Sequence, residues 1–268
     1  MAIALTAGMR SNLTALQGVD KMMQNTQNRL STGKRVNSAL DDPVNFFKAE
    51  DHYNRASDLA AKKDGMGEAI KTIEAANTGI EKIEDLLNQM KSLASAAKTS
   101  TNKSDLMSQY DRIISQVAFM AQDSNYGGQN LLNGDSLSVE FNEDGSNTLT
   151  VAGFSAATSG SVAGVAIAAA NFANNDTIEG GAISQIDAAI TQLRTEAQKL
   201  SSSLSTISIR SEFTSEMVNT LNTGGDNLTL ADMNEEGANM LMLQTRQNLG
   251  TTSLSLASQA AQAVLRLF

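Results

Sequence analysis

His52 is the only histidine in the chain, preceded by Glu50-Asp51 and followed by Tyr53. A metal or acid–base site needs several groups converging on one point, and a lone imidazole on a charged helix reads as surface. Asp41-Asp42 is the other pairing that could do chemistry, as paired carboxylates or as a cation site. Directly before Pro43 it reads better as a helix cap, because Asp favours that position and proline opens a first turn. Asp144-Gly145 and Gly127-Gly128 are not followed by Gly-Lys-Ser/Thr, so they read as turns and not as phosphate loops. The chain has no cysteine, hence no disulfide and no thiolate chemistry. Its twelve methionines fall mostly at helix-seam positions such as Met66, Met90 and Met120, where packing is their ordinary use. No catalytic group, cofactor or metal site is expected.

The elements that carry these residues are long helices. Leu5, Met9, Asn12, Leu16, Val19, Met23, Thr26 and Leu30 keep a heptad frame with two polar substitutions, a helix of roughly 38 Å. Ser31-Thr32-Gly33 interrupts it, and an extended or turn segment runs to Pro43. Helical spacing resumes at Val44, and Met66, Ala69, Ile73, Ala76, Ile80, Ile83, Leu87, Met90, Ala94 and Ala97 form one seam. Leu106, Tyr110, Ile113, Val117 and Met120 mark a shorter helix, with Ser104 as its expected N-cap. A third seam runs from Ile186 through Leu193, Leu200 and Ile207 to Leu221, and Asn222–Asn227, with two glycines, is expected to end it. The last helix is expected to start near Thr229, with Asp232 three residues on.

Residues 123–181 differ. Ser138–Phe141 and Thr148–Val151 flank Asn142-Glu143-Asp144-Gly145, a hairpin signal. The remainder is rich in Gly, Ala, Ser and Asn, which predicts a short, exposed β-rich excursion without a core of its own.

Charge is uneven. The net value is −9, but residues 1–40 and 237–268 are both weakly basic, so the middle is strongly acidic and reads as solvent-facing. A nucleic-acid partner is not expected. Neither is membrane insertion, since the long uncharged runs are rich in Ser, Thr, Asn and Gly; Met1–Ala7 lacks the basic start and length of a secretory signal. In Gly237–Phe268 the only charged residues are Arg246 and Arg266. Leu254, Ala257, Ala261, Val264 and Phe268 make one apolar seam there, and Leu249, Leu256, Ala260, Ala263 and Leu267 make a second beside it. Two seams on one helix need cover from two sides, which predicts that this end becomes ordered inside an assembly.

The nearly palindromic layout favours antiparallel pairing of two arms. The expected fold is mainly α: a long antiparallel helical hairpin or coiled-coil rod, with paired terminal helices and a small central β excursion. Residues 1–40 with 228–268 form the terminal coiled-coil domain, and 41–227 the rod-like helical domain with the excursion at about 123–181.

Two long stretches are more specific than heptads. Arg29-Leu30-Ser31-Thr32-Gly33-Lys34-Arg35-Val36-Asn37-Ser38-Ala39, followed by Asp41-Asp42, resembles the linker motif of bacterial flagellin. Asn227–Glu236 and Leu243–Gly250 resemble its C-terminal block. The likeness covers roughly residues 1–133 and 182–268, and departs at Pro43-Val44-Asn45, where the family commonly carries small residues and a glycine. The resemblance implies a structural subunit that self-assembles into the extracellular flagellar filament for swimming, its terminal helices lining the central channel. It implies assembly through Leu5, Met9, Leu16, Val19, Met23, Leu30, Leu249, Leu254, Leu256, Val264, Leu267 and Phe268. It assigns Arg29, Ser31, Gly33, Arg35, Asn37, Asp41 and Asp42 to the linker. Implied partners are other flagellin subunits, the flagellar export apparatus, an export chaperone, the filament cap and the hook-associated junction proteins. A hook–filament junction protein shares the terminal design, and a signalling or secreted coiled coil shares the heptads; both stay open at this point. The resemblance also locates the patch that the animal flagellin receptor reads, of form Leu-Gln-Arg-Val-Arg-Glu-Leu-Ala, at Leu87–Ala94. Here Gln89 and Lys91 stand for its two arginines and Ser92 for its glutamate.

Overall fold

A computed structural model describes residues 7–158, 160–167 and 171–265. Helices dominate: α1 (Ala7–Thr32), α2 (Pro43–Ala97), α3 (Lys103–Asp123), α4 (Ser184–Thr229) and α5 (Met233–Leu265). Between α3 and α4 lie β1 (Ser136–Glu140), β2 (Thr148–Ala152), β3 (Ala157–Thr158), β4 (Ser161–Val162) and β5 (Val165–Ala166), then a π-helical turn, Thr177–Ile183. The chain divides into two compact units: residues up to Asn54 with those from Thr220 on, and Arg55–Asn219. Both divisions fall inside continuous helices, α2 and α4, whereas the sequence reading placed them in the loops near 40 and 228.

The central unit has the continuous core. All ten positions of the α2 seam from Met66 to Ala97 are 2% exposed or less. Seam residues Ile186, Leu193, Leu200 and Ile207 of α4 are as deeply buried, within the same cluster. Lys91 meets Asp187 at 2.5 Å, Arg194 meets Glu84 at 3.4 Å, and Lys63 donates to Ser215 at 3.3 Å. Each step back along α2 is matched by an equal step forward along α4, so the two run antiparallel in a fixed register. α3 adds Tyr110 and Val117. The Tyr110 ring stands edge-on to Phe172 at 5.6 Å, and burial pushes its phenol up to about 12. Its helix begins at Lys103 with Asn102 at the N-cap position, two residues before the expected Ser104, and Asn102 Nδ2 donates to the Asp105 carboxylate in the first turn.

The hairpin forms as its turn signal predicts, β1 antiparallel to β2 with Val139 opposite Leu149. The rest of the excursion corrects the sequence reading. Leu131, Leu132, Val151, Ala156, Val162, Ile167, Phe172 and Ile178 are buried in the same core as α2, α3 and α4. The segment is poor in large apolar residues, but its strands and the connections around them set these eight against helices that supply the other side. Asn130 fixes the entry to this segment, donating to the carbonyls of Ala121 and Gln122 at the end of α3 and accepting from Leu132 N.

In the other unit α1 and α5 pair antiparallel. Arg29 bonds Glu236 at 2.9 Å, Gln247 Nε2 donates to Asp20 Oδ1 at 2.8 Å, and Gly250 lies against Leu16. The second correction concerns the break before α5. α4 passes through Gly224-Gly225 and ends at Thr229. A Cβ on Gly225 would lie 2.7 Å from the Tyr53 ring, whose hydroxyl bonds Asp226 at 2.8 Å. That close packing outweighs the roughly 1 kcal/mol that each helical glycine costs. The stop falls at Leu230–Asp232, and the cap is Asp232, which accepts from Asn234 N and Glu235 N; Thr229 instead bonds back to Gly225 O within α4.

Candidate assembly interface

The linker after α1 is shaped by its own side chains. Gly33 takes φ +69° and its N–H returns to Arg29 O at 2.8 Å, the left-handed cap that ends a helix. Arg35 N and Val36 N then donate to Thr229 O, and Ala231 N donates to Gly33 O, so the two inter-helix connections are hydrogen-bonded to each other. Val36 is buried there. Asp41 Oδ2 accepts from Asn37 N and Ser38 N at 3.0 Å and from Ser38 Oγ at 3.2 Å. Asp42 caps α2, accepting from Asn45 N at 3.1 Å and Asn45 Nδ2 at 2.6 Å. These backbone N–H donors, from Asn37 first for Asp41 and from Asn45 for Asp42, hold both carboxyls below the ordinary aspartate value. Asn37 Nδ2 also reaches Thr32 Oγ1 at 3.0 Å. Of the motif residues, Arg29, Gly33, Asn37, Asp41 and Asp42 thus act on the linker's geometry, Arg35 does so through its backbone N–H, and Ser31 is exposed.

The seam residues divide by face. Met9 is buried, and Leu16, Val19, Met23 and Leu30 are half-buried on α1; Leu254 is half-buried on α5. Leu249 and Leu256 are 66% and 61% exposed. Leu5, Leu267 and Phe268 lie outside the described residues, as does the side chain of Val264. Among the described residues of α5, then, Leu254 and Ala257 of one seam are half-buried, whereas Leu249, Leu256, Ala260 and Ala263 of the other are exposed. The open one extends further back than the sequence reading took it: Met242 and Leu241 are exposed as well, and so are Leu13 and Met22 on α1. Counting seven residues back from Leu249 reaches Met242, a signal that was present in the heptad.

Two other residue sets stand apart from this face. On α2, Leu87, Met90 and Ala94 are sealed in the core, Gln89 and Ser92 are exposed, and Lys91 is held by Asp187. His52 is half-buried beside Gly224. Among the described residues no three His, Asp or Glu side chains gather as a metal site would require, and no helix is long and apolar enough to cross a membrane.

What the paired terminal helices present is a stripe of large apolar side chains on α5, Leu241, Met242, Leu249 and Leu256, that stays exposed. Residues 5–137 match the bacterial flagellin N-terminal helical region and residues 183–268 its C-terminal helical region. Flagellin of Brucella melitensis is 30% identical over 273 residues, covering 96% of each chain. Flagellin FljK of Caulobacter vibrioides is 29% identical over 277 residues, covering all of this chain and 98% of that one. A crystal structure of Bacillus cereus flagellin overlaps with a TM-score of 0.47 at 18% identity, over 56% of this chain and 88% of that chain. With both helical regions in order at the two ends, and relatives aligned along nearly their whole length, the chain belongs to the bacterial flagellin family.

Proposed function

We propose that this chain is the structural subunit of a bacterial flagellar filament and polymerises for swimming through α1 and α5. The observation that supports this most directly is the uncovered seam of α5, Met242, Leu249 and Leu256, on a helix whose other side already rests on α1. Covering such a stripe is favourable at ~1.5–3 kcal/mol for each large side chain, and copies of the same chain in a heterologous contact whose rotation does not close extend into a helical filament. Export through the flagellar secretion apparatus follows from this reading. An export chaperone then shields the α5 stripe before secretion, and cap and hook-associated proteins meet the filament at its ends. Electron microscopy of the purified protein at high concentration tests it. Long helical filaments are expected; discrete small oligomers would favour a junction protein instead.

The exposed patch on α2 carries a second proposal, that this flagellin activates the animal flagellin receptor weakly. Gln89 and Ser92 are free to meet a receptor, but neither supplies the planar multi-donor fork of an arginine, and Lys91 is tied to Asp187. In a receptor-reporter assay, Gln89→Arg, Lys91→Arg and Ser92→Glu together should raise the response. Equal potency of the unaltered chain and a flagellin bearing the arginine patch would remove the proposal.

A further inference from the structure

Sulfur is unevenly exposed. Of the twelve methionines, Met66 and Met90 are fully buried in the central core, and Met9 is buried on α1. Among the described residues three are exposed, Met22 at 46%, Met233 at 48% and Met242 at 45%, and all three belong to the terminal unit. Met22 on α1 and Met242 on α5 line one cleft of about 300 Å³ between the paired helices. Met242 is also part of the open stripe that continues through Leu249 and Leu256 at heptad steps. Met233, nine residues before Met242, is about two and a half turns away and so on the opposite side of α5.

A packed thioether is a flexible apolar filler, whereas an accessible one reacts with peroxides. The sulfur lone pair attacks one oxygen of hydrogen peroxide, an S–O bond forms, and the O–O bond breaks. The proton of the attacked oxygen goes to the departing hydroxide, which leaves as water; sulfur is oxidised and the peroxide is reduced. The sulfoxide is polar and resists burial against apolar surface. On the free subunit both side chains face solvent, so the change is tolerated. On a stripe that has to be covered for the filament to grow, its cost falls on assembly.

We propose that Met22 and Met242 form an oxidation site on the free subunit, and that converting either thioether to its sulfoxide by a hydroperoxide blocks addition to the filament. This rests on the filament reading and deepens it, since the contact that extends the filament also shields the two sulfurs. The block is reversible, because a sulfoxide can be reduced back to the thioether.

Hydrogen peroxide on the full-length monomer tests this, read by peptide mapping of sulfoxides and by the critical concentration for polymerisation. Met22, Met233 and Met242 should oxidise ahead of Met66 and Met90, and helix content should hold. The critical concentration should rise about tenfold, the effect of burying one polar group without a partner. Met22→Leu with Met242→Leu is a volume-conserving exchange; that chain should polymerise as before and lose the sensitivity. Met233→Leu should keep it, although an equally exposed sulfur is gone. Methionine sulfoxide reductase should restore assembly of the treated chain. The proposal is overturned if the double variant stays as sensitive as the unaltered chain, or if Met233→Leu alone protects. It is equally overturned if Met22 and Met242 oxidise as fast in preformed filaments as in the monomer. An untreated chain that does not polymerise removes the filament reading, and the block on assembly with it. Sulfurs that stay unoxidised in the monomer remove the oxidation site alone.

Discussion

The central unit and the terminal pair are built from the same heptad pattern and end up in opposite states. Along α2, every seam position from Met66 to Ala97 is sealed, because α3, α4 and the strands approach from the same chain. Along α5, Leu254 is half-covered by α1 while Leu241, Leu249 and Leu256 remain 60% exposed or more. The apolar spacing is as regular in one as in the other. The difference is the number of partners that the chain itself supplies. A helix with one seam is satisfied by one neighbour, whereas a helix with two is left with a face to share. The central unit can therefore carry its own stability, and the terminal pair stores its unspent burial for contact with other copies.

The largest effect expected from this contrast is all-or-none. Removing Leu249–Phe268 should abolish polymerisation and leave the cooperative unfolding of Arg55–Asn219 in place; normal filaments from the truncated chain would break the comparison. Next in size, Ile83→Ala empties a fully buried site and should cost about 2–5 kcal/mol of monomer stability in denaturant unfolding. Leu249→Ser should do the reverse, moving monomer stability by less than about 0.5 kcal/mol while raising the critical concentration for assembly. If Leu249→Ser destabilised the monomer as much as Ile83→Ala, the distinction between closed and open seams would fail.

A smaller effect separates close packing from mere propensity in the terminal unit. Gly225→Ala improves intrinsic helix propensity, yet its methyl would sit 2.7 Å from the Tyr53 ring. Overpacking should win, with a net loss of about 1–3 kcal/mol; a gain in melting temperature would show that Tyr53 moves aside freely.

The smallest effect is the pH response of the linker. Asp41 and Asp42 titrate below the ordinary aspartate range because backbone N–H groups bind their ionised forms. A depressed folded value stabilises above the unfolded value, near pH 4, and the stabilisation is lost as pH falls through the folded value. The amide resonances of Asn37, Ser38 and Asn45 should stay constant from pH 8 to 5 and shift only below about pH 4. Titration of these amides near pH 6 would contradict the caps.

Much was legible without coordinates. The α2 seam, the Asp144-Gly145 hairpin and the Asp-Asp-Pro start of α2 follow from local rules, since spacing, turn chemistry and capping act within a few residues. The two-seam character of α5 was equally plain, because it needs only the residue order. Three features were decided by tertiary structure. Gly224-Gly225 reads as a break but continues as helix, because Tyr53 and Asp226 hold it from outside the segment. Residues 123–181 read as an exposed excursion but close the core, since their few apolar residues count only when a second surface is opposite. Glu236 reads as one more acid in a helix's first turn. Only the packing of α1 against α5 buries it, pairs one oxygen with Arg29, and seals the other without a hydrogen-bond partner among the described residues. Sequence sets which faces are apolar and where helices start; how many neighbours each face meets is a property of the folded chain, because burial depends on residues far apart in order and close in space.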